Sequence, residues 1–226
     1  MKYIELELVD STNEYIKREM KTLENYTVVR ALYQTSGKGR QGHTWDSMAN
    51  ENLLVSLLLK EDLDPLKLSQ VMALSLSKML STYGIKGLIK WPNDLYVNGE
   101  KIAGILVETC YEKTLQGIII GVGLNVNETN HIAMSRLLGR KLEVMEVMNN
   151  ILNQFNHYLL LYKQGEFNDL LEEINQLSYL KGKKIEYGDY GKVEFLRLDE
   201  ACQVIMKDEK GDMHHLMVNE ISLGKI

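Results

Sequence analysis

The sequence predicts an α/β (α+β) protein, in which helices pack on a mixed sheet, followed by a small domain made only of strands. In the first half of the chain, apolar strand segments alternate with helical segments. Apolar residues then recur at three-to-four spacing over Val144–Leu159 and Phe167–Leu177, as in helices with one buried face. From Lys183 onward only short strands separated by glycines follow. We therefore assign residues 1–181 to a main domain and 182–226 to a barrel-like domain that packs on it, because about 45 residues is near the lower limit for independent folding.

In the main domain, the first helix is predicted to begin at Ser11 and to end near Leu23. Ser11-Thr12-Asn13-Glu14 has the pattern of a capping box, in which the Ser hydroxyl and the Glu carboxylate each satisfy a free backbone amide. The amphipathic segment Pro65–Tyr83 predicts a second helix, and Gln34–Asn50 is a long loop with glycines. The strands of this domain are predicted at Tyr3–Leu8, Tyr26–Tyr33, Asn52–Leu59, Asp94–Val97, Lys101–Glu108 and Leu115–Leu124.

The small domain is predicted to contain four short strands. These cover Lys184–Tyr187, Lys192–Leu198, Cys202–Lys207 and Met213–Val218. His214 and His215 are adjacent in the last strand, and adjacent strand residues point to opposite faces. We therefore interpret both histidines as structural, and we predict no metal site in this chain.

The composition is that of a soluble globular protein. Of the 226 residues, 45% are hydrophobic and 25% charged, which argues against disorder. Lys plus Arg number 26 against 31 Asp plus Glu, and this mildly acidic balance disfavours general nucleic-acid binding. Cys110 and Cys202 cannot form a disulfide framework, no signal peptide begins the chain, and the apolar runs are too short to cross a bilayer. We therefore predict a cytoplasmic protein without nucleic-acid or membrane partners.

The loop Gly37–Gly42 fits three patterns. It matches G-x-G-x-x-G after a strand, but the residues that follow lack the helical character that a dinucleotide-binding turn requires. It also approximates a Walker A loop, with His43 in the place of the lysine. In the third interpretation it binds an anion, because glycines let backbone amides approach closely and Lys38 and Arg40 add positive charge. A solvated surface loop is the alternative, and the loop alone does not decide between them.

A second cluster favours the anion-binding interpretation. The string Lys90-Trp91-Pro92-Asn93-Asp94 is expected to end a strand, because proline cannot donate to a sheet ladder. Asn98-Gly99 tolerates the positive φ angles of a tight turn, which folds the chain back and brings Lys101 near Asp94. Two ammonium groups, one amide and one carboxylate should therefore meet on this hairpin.

With these motifs the sequence resembles the biotin–protein ligase family. Three signatures carry the resemblance, in the order in which the family has them. They are Gly37–Gly42, then Lys90–Asp94 with Lys101 and Gly104–Leu106, and finally Gly121–Asn127. The resemblance is strongest from about Ile4 to Asn127 and continues to Glu220–Leu223. It implies a catalytic domain like that of class II aminoacyl-tRNA synthetases, followed by an SH3-like β-barrel.

The resemblance also implies a reaction. ATP with Mg²⁺ would activate the biotin carboxylate as biotinyl-5′-AMP, and a lysine of a biotin carboxyl carrier protein domain, of the acetyl-CoA carboxylase or pyruvate carboxylase type, would then displace AMP. Arg40 and Lys101 are predicted to neutralise the carboxylate and the α-phosphate, with Lys90 in support. Asp94 would orient Lys101, hold Mg²⁺ or help to deprotonate the incoming lysine, and the choice among these catalytic roles stays open.

Two binding sets follow from the resemblance. The biotin-binding residues are predicted to be Ser11, Thr12, Asn13, Gln34, Lys38, Gly39, Arg40, Lys101 and Gly104. The nucleotide-binding residues are predicted to be Arg40, His43, Trp45, Lys90, Asn93 and Asn125. Structural roles are the alternative for three of these residues: Ser11 as a helix cap, Trp45 as a core residue that anchors the loop, and Asn125 as a turn residue.

Two features depart from many family members. Lys38 and His43 stand where arginine is frequent, and no DNA-binding domain precedes the first catalytic strand. We therefore predict a monofunctional ligase, either a monomer or a homodimer. The rival hypotheses are a lipoate or octanoate ligase of related fold and a biotin-responsive regulatory binding protein. The Lys-Trp-Pro-Asn-Asp string argues against the first, and the net charge of −5 argues against the second.

Overall fold

The structure, a computed structural model, describes residues 2–45 and 48–216. The strands in these ranges are β1 (Lys2–Val9), β2 (Thr27–Gln34), β3 (Leu53–Leu59), β4 (Leu88–Lys90), β5 (Asp94–Val97), β6 (Glu100–Tyr111), β7 (Leu115–Leu124), β8 (Lys184–Glu186), β9 (Lys192–Leu198), β10 (Val204–Asp208) and β11 (Met213–Leu216). The helices are α1 (Thr12–Glu19), α2 (Pro65–Thr82), α3 (Met134–Leu138), α4 (Val144–Lys163) and α5 (Phe167–Gln176).

The main sheet has seven strands in the order β1-β2-β3-β7-β6-β5-β4. It is mixed, as predicted, because β1 and β2 are parallel and the other neighbours are antiparallel. Parallel neighbours need a crossover connection, and α1 supplies it. The central strands β3 and β7 are long apolar runs because both faces of the sheet are covered there.

Helices cover the two faces of this sheet unequally. α2 and α4 pack on each other, and α2 lies on β6, while α1 lies on the opposite face against β2, β3 and β7. Side-chain alternation along the strands separates the two layers. Leu57 and Ile120 therefore belong to the larger core under α2, whereas their chain neighbours Leu58 and Ile119 belong to the smaller core under α1.

The structure corrects several local expectations. α1 ends at Glu19, earlier than predicted, and Ser11 occupies its N-cap position without accepting a hydrogen bond through its side chain. The predicted capping box is therefore wrong. Glu14 does not reach back to the N-cap, because its carboxylate forms ion pairs with Lys17 and Lys38. The strand expected to end at the proline-containing string is β4, which has three residues and ends at Lys90. The sequence pattern does not predict α3, which has five residues.

The four strands predicted at the C-terminal end are confirmed. They form an antiparallel sheet in the order β11-β10-β9-β8, and inner residues such as Val193, Phe195 and Val204 join the same core as the main domain. The boundary between residues 181 and 182 stays a prediction. Closure into a barrel also stays a prediction, since residues 217–226, with the family-like Glu220–Leu223, lie outside the described residues.

The two adjacent histidines have separate partners. His214 Nε2 lies 2.9 Å from Asp208 Oδ2, whereas His215 Nδ1 lies 3.2 Å from Asp199 Oδ2. Within residues 2–45 and 48–216, no group of three or more His, Cys, Asp or Glu side chains is arranged to hold a metal ion. In that part of the chain, no helix combines the length and the apolar character needed to span a membrane.

Trp91 joins the main domain to the C-terminal sheet. Its indole is buried, and Nε1 donates a hydrogen bond to Cys202 O at 3.1 Å. Cys202 lies in the turn between β9 and β10, where burial raises the pKa of its thiol to about 12. The thiol is therefore protonated at neutral pH, and the backbone of this residue is what the indole contacts.

We expect Trp91→Phe to lower the free energy of unfolding by about 1–3 kcal/mol, because a buried carbonyl loses its donor and a smaller ring fills the site. Urea-induced unfolding, followed by circular dichroism, measures the difference. Tyr111→Phe is the control, since Tyr111 is exposed. Equal stabilities of Trp91→Phe and the wild type would contradict a stabilising role for this hydrogen bond.

Candidate active site

A cavity of about 410 Å³ opens over the middle of the seven-stranded sheet. Its walls come from the β1–α1 junction, the loop after β2, the β4–β5 hairpin, and strands β6 and β7. Three glycines keep side chains away from the floor of the cavity. Gly104 and Gly123 are direct cross-strand partners, and Gly121 lies two residues along the same strand.

Nearly all the predicted site residues meet at this cavity. The following line it: Ser11, Thr12, Asn13, Gln34, Lys38, Gly39, Arg40, His43, Trp45, Lys90, Asn93, Asp94, Lys101 and Gly104. Arg40 and Lys101, which are far apart in the sequence, therefore converge as expected. Asn125 is the exception, because it is buried beyond the end of β7 and does not line the cavity. Its backbone amide donates to Ile102 O, and its carbonyl accepts from Met134 N. Asn125 does not have the positive φ angle of the turn alternative, and its contact with the nucleotide stays a prediction.

At one end of the cavity, cations surround a single carboxylate. Strand pairing places Lys90 opposite Asp94, and Lys101 Nζ lies 2.7 Å from Asp94 Oδ1. Arg40 Nη1 donates to Asn93 Oδ1 at 3.3 Å, and Asn93 is itself held by a hydrogen bond from Nδ2 to Ile105 O. This end of the cavity therefore carries an excess of positive charge.

Burial makes this charge costly. Removal from water lowers the pKa of the Arg40 guanidinium, and the negative charge of Asp94 partly opposes that shift. Burial likewise lowers the pKa of the Lys90 ammonium, and Asp94 again acts in the opposite direction. One carboxylate faces several cations, so an anionic ligand would stabilise their charged forms further.

The other end of the cavity is neutral and polar. Gln34 Oε1 accepts hydrogen bonds from both the backbone amide and the hydroxyl of Thr12, at 2.7 and 2.9 Å. Asn13 Nδ2 donates to Glu108 Oε2 at 2.8 Å. Among the described residues, the Nε2 group of Gln34 has no hydrogen-bond partner, so it is available to donate to a ligand carbonyl.

Ser56 is a site-supporting residue that the sequence analysis missed. Its buried hydroxyl lies 2.7 Å from Thr12 Oγ1 and is hydrogen-bonded to Asn13 Oδ1. The signal was present, because Ser56 is the one polar residue in the strand sequence LLVSLLL. Unlike its apolar neighbours, this side chain can connect two polar residues that line the cavity.

Two glycines of β7 make room for side chains that line the cavity. A Cβ at Gly121 would overlap the Asn13 amide, and a Cβ at Gly123 would overlap the Trp45 indole. The Trp45 ring therefore lies on the sheet floor, with Lys101 Nζ 5.5 Å from its centroid. Its Nε1 group is buried without a hydrogen-bond partner among the described residues.

The loop that carries Arg40 is a short hairpin-like turn. Lys38 and Thr44 form an antiparallel bridge, and Trp45 N donates to Gly37 O at 3.0 Å. Among the described residues that follow Gly42, residues 43–45 are not helical, which argues against the dinucleotide-binding interpretation. Lys38 Nζ lies 2.7 Å from Glu14 Oε1, so an ion pair connects this loop to α1.

Comparisons with known proteins agree on one family. Residues 5–125 match the sequence profile described as the biotin/lipoate A/B protein ligase family. A bifunctional ligase/repressor, BirA, of Bacillus subtilis is 35% identical over 218 residues, which is 88% of this chain and 66% of that protein. A biotin–[acetyl-CoA-carboxylase] ligase of Paracoccus denitrificans is 34% identical over 127 residues, which is 52% of this chain and 51% of that protein. The chain thus spans less than two thirds of the length of these two relatives.

Among solved structures, a biotin protein ligase from Aquifex aeolicus in complex with biotin and ATP superposes with a TM-score of 0.86. It is 28% identical in sequence, and the alignment covers 98% of this chain and 97% of that one. The match therefore includes the C-terminal sheet as well as the main domain. The family profile covers more than half of the chain, and the motifs that it spans line the cavity. This chain belongs to the biotin/lipoate A/B protein ligase family.

Proposed function

We propose that this protein activates biotin with ATP and transfers it to a lysine of a biotin carboxyl carrier protein domain. The observation that carries the proposal is the two-ended cavity. Arg40, Lys90 and Lys101 gather at one end, and Thr12, Asn13 and Gln34 gather at the other. A ligand with a neutral polar head and an anionic tail fits this division of charge.

The first half-reaction joins two anions. A biotin carboxylate oxygen forms a bond to the α-phosphorus of ATP, and the bond to the β-phosphate oxygen breaks to release pyrophosphate. Arg40 and Lys101 neutralise the carboxylate and the α-phosphate, and Lys90 adds charge on the phosphate side. Positioning and electrostatic stabilisation supply the acceleration, because the two reactants repel each other in water.

In the second half-reaction, the carrier lysine attacks the acyl carbon of the mixed anhydride and AMP leaves. The attacking amine must lose a proton. Of the catalytic roles that the sequence left open for Asp94, its 2.7 Å ion pair favours the orientation of Lys101. Deprotonation of the incoming lysine is the secondary role, available once that ion pair rearranges.

The neutral end suits the ureido ring of biotin, which presents one carbonyl acceptor and two N–H donors. Gln34 Nε2 can donate to the carbonyl, and the side-chain oxygens of Ser11, Thr12 and Asn13 can accept from the ring. Leaving such a group unpaired in a buried site would cost about 1–3 kcal/mol per partner. Gly39, Gly104 and Lys38 also line the cavity, and they are proposed to lie along the chain of the vitamin.

The nucleotide is proposed to lie on the loop side of the cavity. The Trp45 indole offers an apolar face and an Nε1 donor that has no partner among the described residues. Asn93 positions Arg40, and His43 lies exposed at the rim. Mg²⁺ would arrive with ATP, because Asp94 is the one carboxylate among the described residues that line the cavity, and Mg²⁺ sites of this kind retain several waters.

The carrier is proposed to be a carboxylase domain, in keeping with the name of the Paracoccus relative. The strand β1 lies at an edge of the main sheet, and a sheet edge can pair with a partner strand. The carrier or a second copy of this chain could use this edge, so monomer and homodimer both stay open. The cytoplasmic location stays a prediction.

The direct test is exchange of labelled pyrophosphate into ATP, with biotin, lipoate or octanoate as the acid. We expect exchange with biotin, followed by transfer of labelled biotin to a carrier domain but not to its lysine-to-alanine variant. Exchange driven by lipoate or octanoate and not by biotin would contradict the proposed substrate, and would favour the other branch of the family.

Lys101→Gln tests the cationic end. We expect kcat for biotin-dependent exchange to fall by about 10²–10³-fold, because a charge aimed at the reacting oxygens is lost. Lys113→Gln removes an exposed lysine from the β6–β7 turn and is the matched control. A similar loss of activity in both variants would mean that Lys101 has no special role.

Ser56→Ala tests the neutral end. Losing the hydroxyl releases Thr12 and Asn13, so we expect KM for biotin to rise about five- to tenfold, the equivalent of one lost hydrogen bond, with little change in KM for ATP. Ser75→Ala is the control, because its buried hydroxyl donates to Val71 O within α2, away from the cavity. An unchanged KM for biotin would contradict the assignment of this end to the ureido ring.

Glu14→Gln tests the ion pair that connects the Arg40 loop to α1. We expect tryptic cleavage at Lys38 and Arg40 to become up to about fivefold faster at low salt, since a partly exposed ion pair contributes up to about 1 kcal/mol. The difference in cleavage rate between Glu14→Gln and the wild type should be smaller at about 1 M salt, because salt at that concentration screens exposed charges. Glu19→Gln, on the same helix, is the control; equal cleavage of all three proteins would mean that Glu14 does not restrain the loop.

A further inference from the structure

The segment between α5 and β8 extends the main sheet past its edge strand β4. Ile89 N donates to Leu177 O at 2.9 Å, and Tyr179 N donates to Ile89 O at 2.8 Å. Ile89 and Ser178 form a parallel bridge between these hydrogen bonds. The residue that follows Ile89 is Lys90, so the backbone that carries this lysine is held from the side of the C-terminal sheet.

The side chains on the same surface form a continuous line of contacts. Lys90 Nζ lies 4.8 Å from the centroid of the Tyr96 ring and 3.4 Å from its hydroxyl. The Tyr96 and Tyr179 rings are 4.8 Å apart between centroids, at an interplanar angle of 32°. Lys183 Nζ lies 3.4 Å from the centroid of the Tyr179 ring. Two cations thus lie against two neighbouring, tilted rings, Lys90 inside the cavity and Lys183 outside it.

We propose that Tyr179 and Lys183 are positioning residues for the nucleotide, which fix the Tyr96 ring and through it the ammonium group of Lys90. The proposal rests on the function given above, in which Lys90 contacts the phosphates of ATP. Neither Tyr179 nor Lys183 lines the cavity. Both act through Tyr96, so their effect is on where Lys90 points and not on the reacting atoms.

The geometry of Lys90 explains why it needs this support. A lysine side chain is long and flexible, and its ammonium group is a point charge without the planar fork of arginine. The nearby Asp94 carboxylate is paired with Lys101 at 2.7 Å, so its negative charge is shared and does not by itself fix the position of Lys90. A tyrosine ring under the ammonium, with its hydroxyl within hydrogen-bond reach, keeps Lys90 in place before ATP arrives.

Lys183 acts both on the Tyr179 ring and on the charge of Lys90. Its ammonium lies over the ring face, where a cation–π contact is favourable. Its charge also disfavours the protonated form of Lys90, which adds to the effect of burial on the pKa of that lysine. The anionic phosphates would therefore face both Lys90 and the more distant positive charge of Lys183.

The test combines three variants with direct measurement of ATP binding by calorimetry and of pyrophosphate exchange. Tyr179→Leu keeps an apolar side chain but removes the ring, and Lys183→Met keeps the alkyl chain but removes the charge. We expect each to raise Kd and KM for ATP about three- to tenfold, the range of a cation–π or aromatic contact, with KM for biotin unchanged. Tyr179→Phe keeps the ring and should behave like the wild type.

Lys181→Met is the matched control, because it removes an exposed lysine from the same segment. If Tyr179→Leu lowers only the melting temperature and leaves Kd for ATP unchanged, the positioning role is overturned. Equal rises in KM for ATP and for biotin would also overturn it. Failure of the proposed function gives a different result, because the wild type would then bind ATP but show no biotin-dependent exchange. A wild type that does not bind ATP would overturn both proposals.

Discussion

The cavity depends on the pairing of two short hairpin strands, which hold one carboxylate among several cations. The β4–β5 register places Lys90 opposite Asp94, and the next turn returns Lys101 to within 2.7 Å of that carboxylate. Arg40 reaches the same region from a different loop. Burial lowers the pKa of Arg40 and of Lys90, and Asp94 offsets only part of this effect. The site therefore carries excess positive charge until an anion binds, which suits the proposed reaction between a carboxylate and a triphosphate.

The neutral end of the cavity follows a different logic. There the side chains form hydrogen bonds among themselves, through Thr12, Gln34 and the buried hydroxyl of Ser56. Glycines on β7 allow this arrangement, because a side chain at Gly121 would displace the Asn13 amide. The two ends of the cavity thus differ in chemistry: neutral hydrogen-bonded side chains line one end, and an excess of positive charge lines the other. The sheet supplies the floor for both.

Much of the site could be predicted from the sequence, because its signals are local. The string from Lys90 to Asp94, the Asn98-Gly99 turn and the glycine loop each lie within a few residues of chain. The predicted capping box at Ser11 does not form, because the Glu14 carboxylate makes ion pairs with Lys17 and with Lys38. Lys38 comes from the loop that carries Arg40. Asn125 does not line the cavity, because its position after β7 places it under the surface.

The sequence by itself determined most of the strands and helices, the charges available to the site and the hairpin that joins Asp94 to Lys101, since all of these depend on neighbours in the chain. Only the tertiary structure decided which distant residues support the site. Ser56 meets Thr12 because α1 packs across β3, and Tyr179 meets Tyr96 because the segment after α5 pairs with the edge of β4. Such contacts depend on sheet order and helix packing, which place residues side by side that are more than forty positions apart in the chain. No local pattern carries that information.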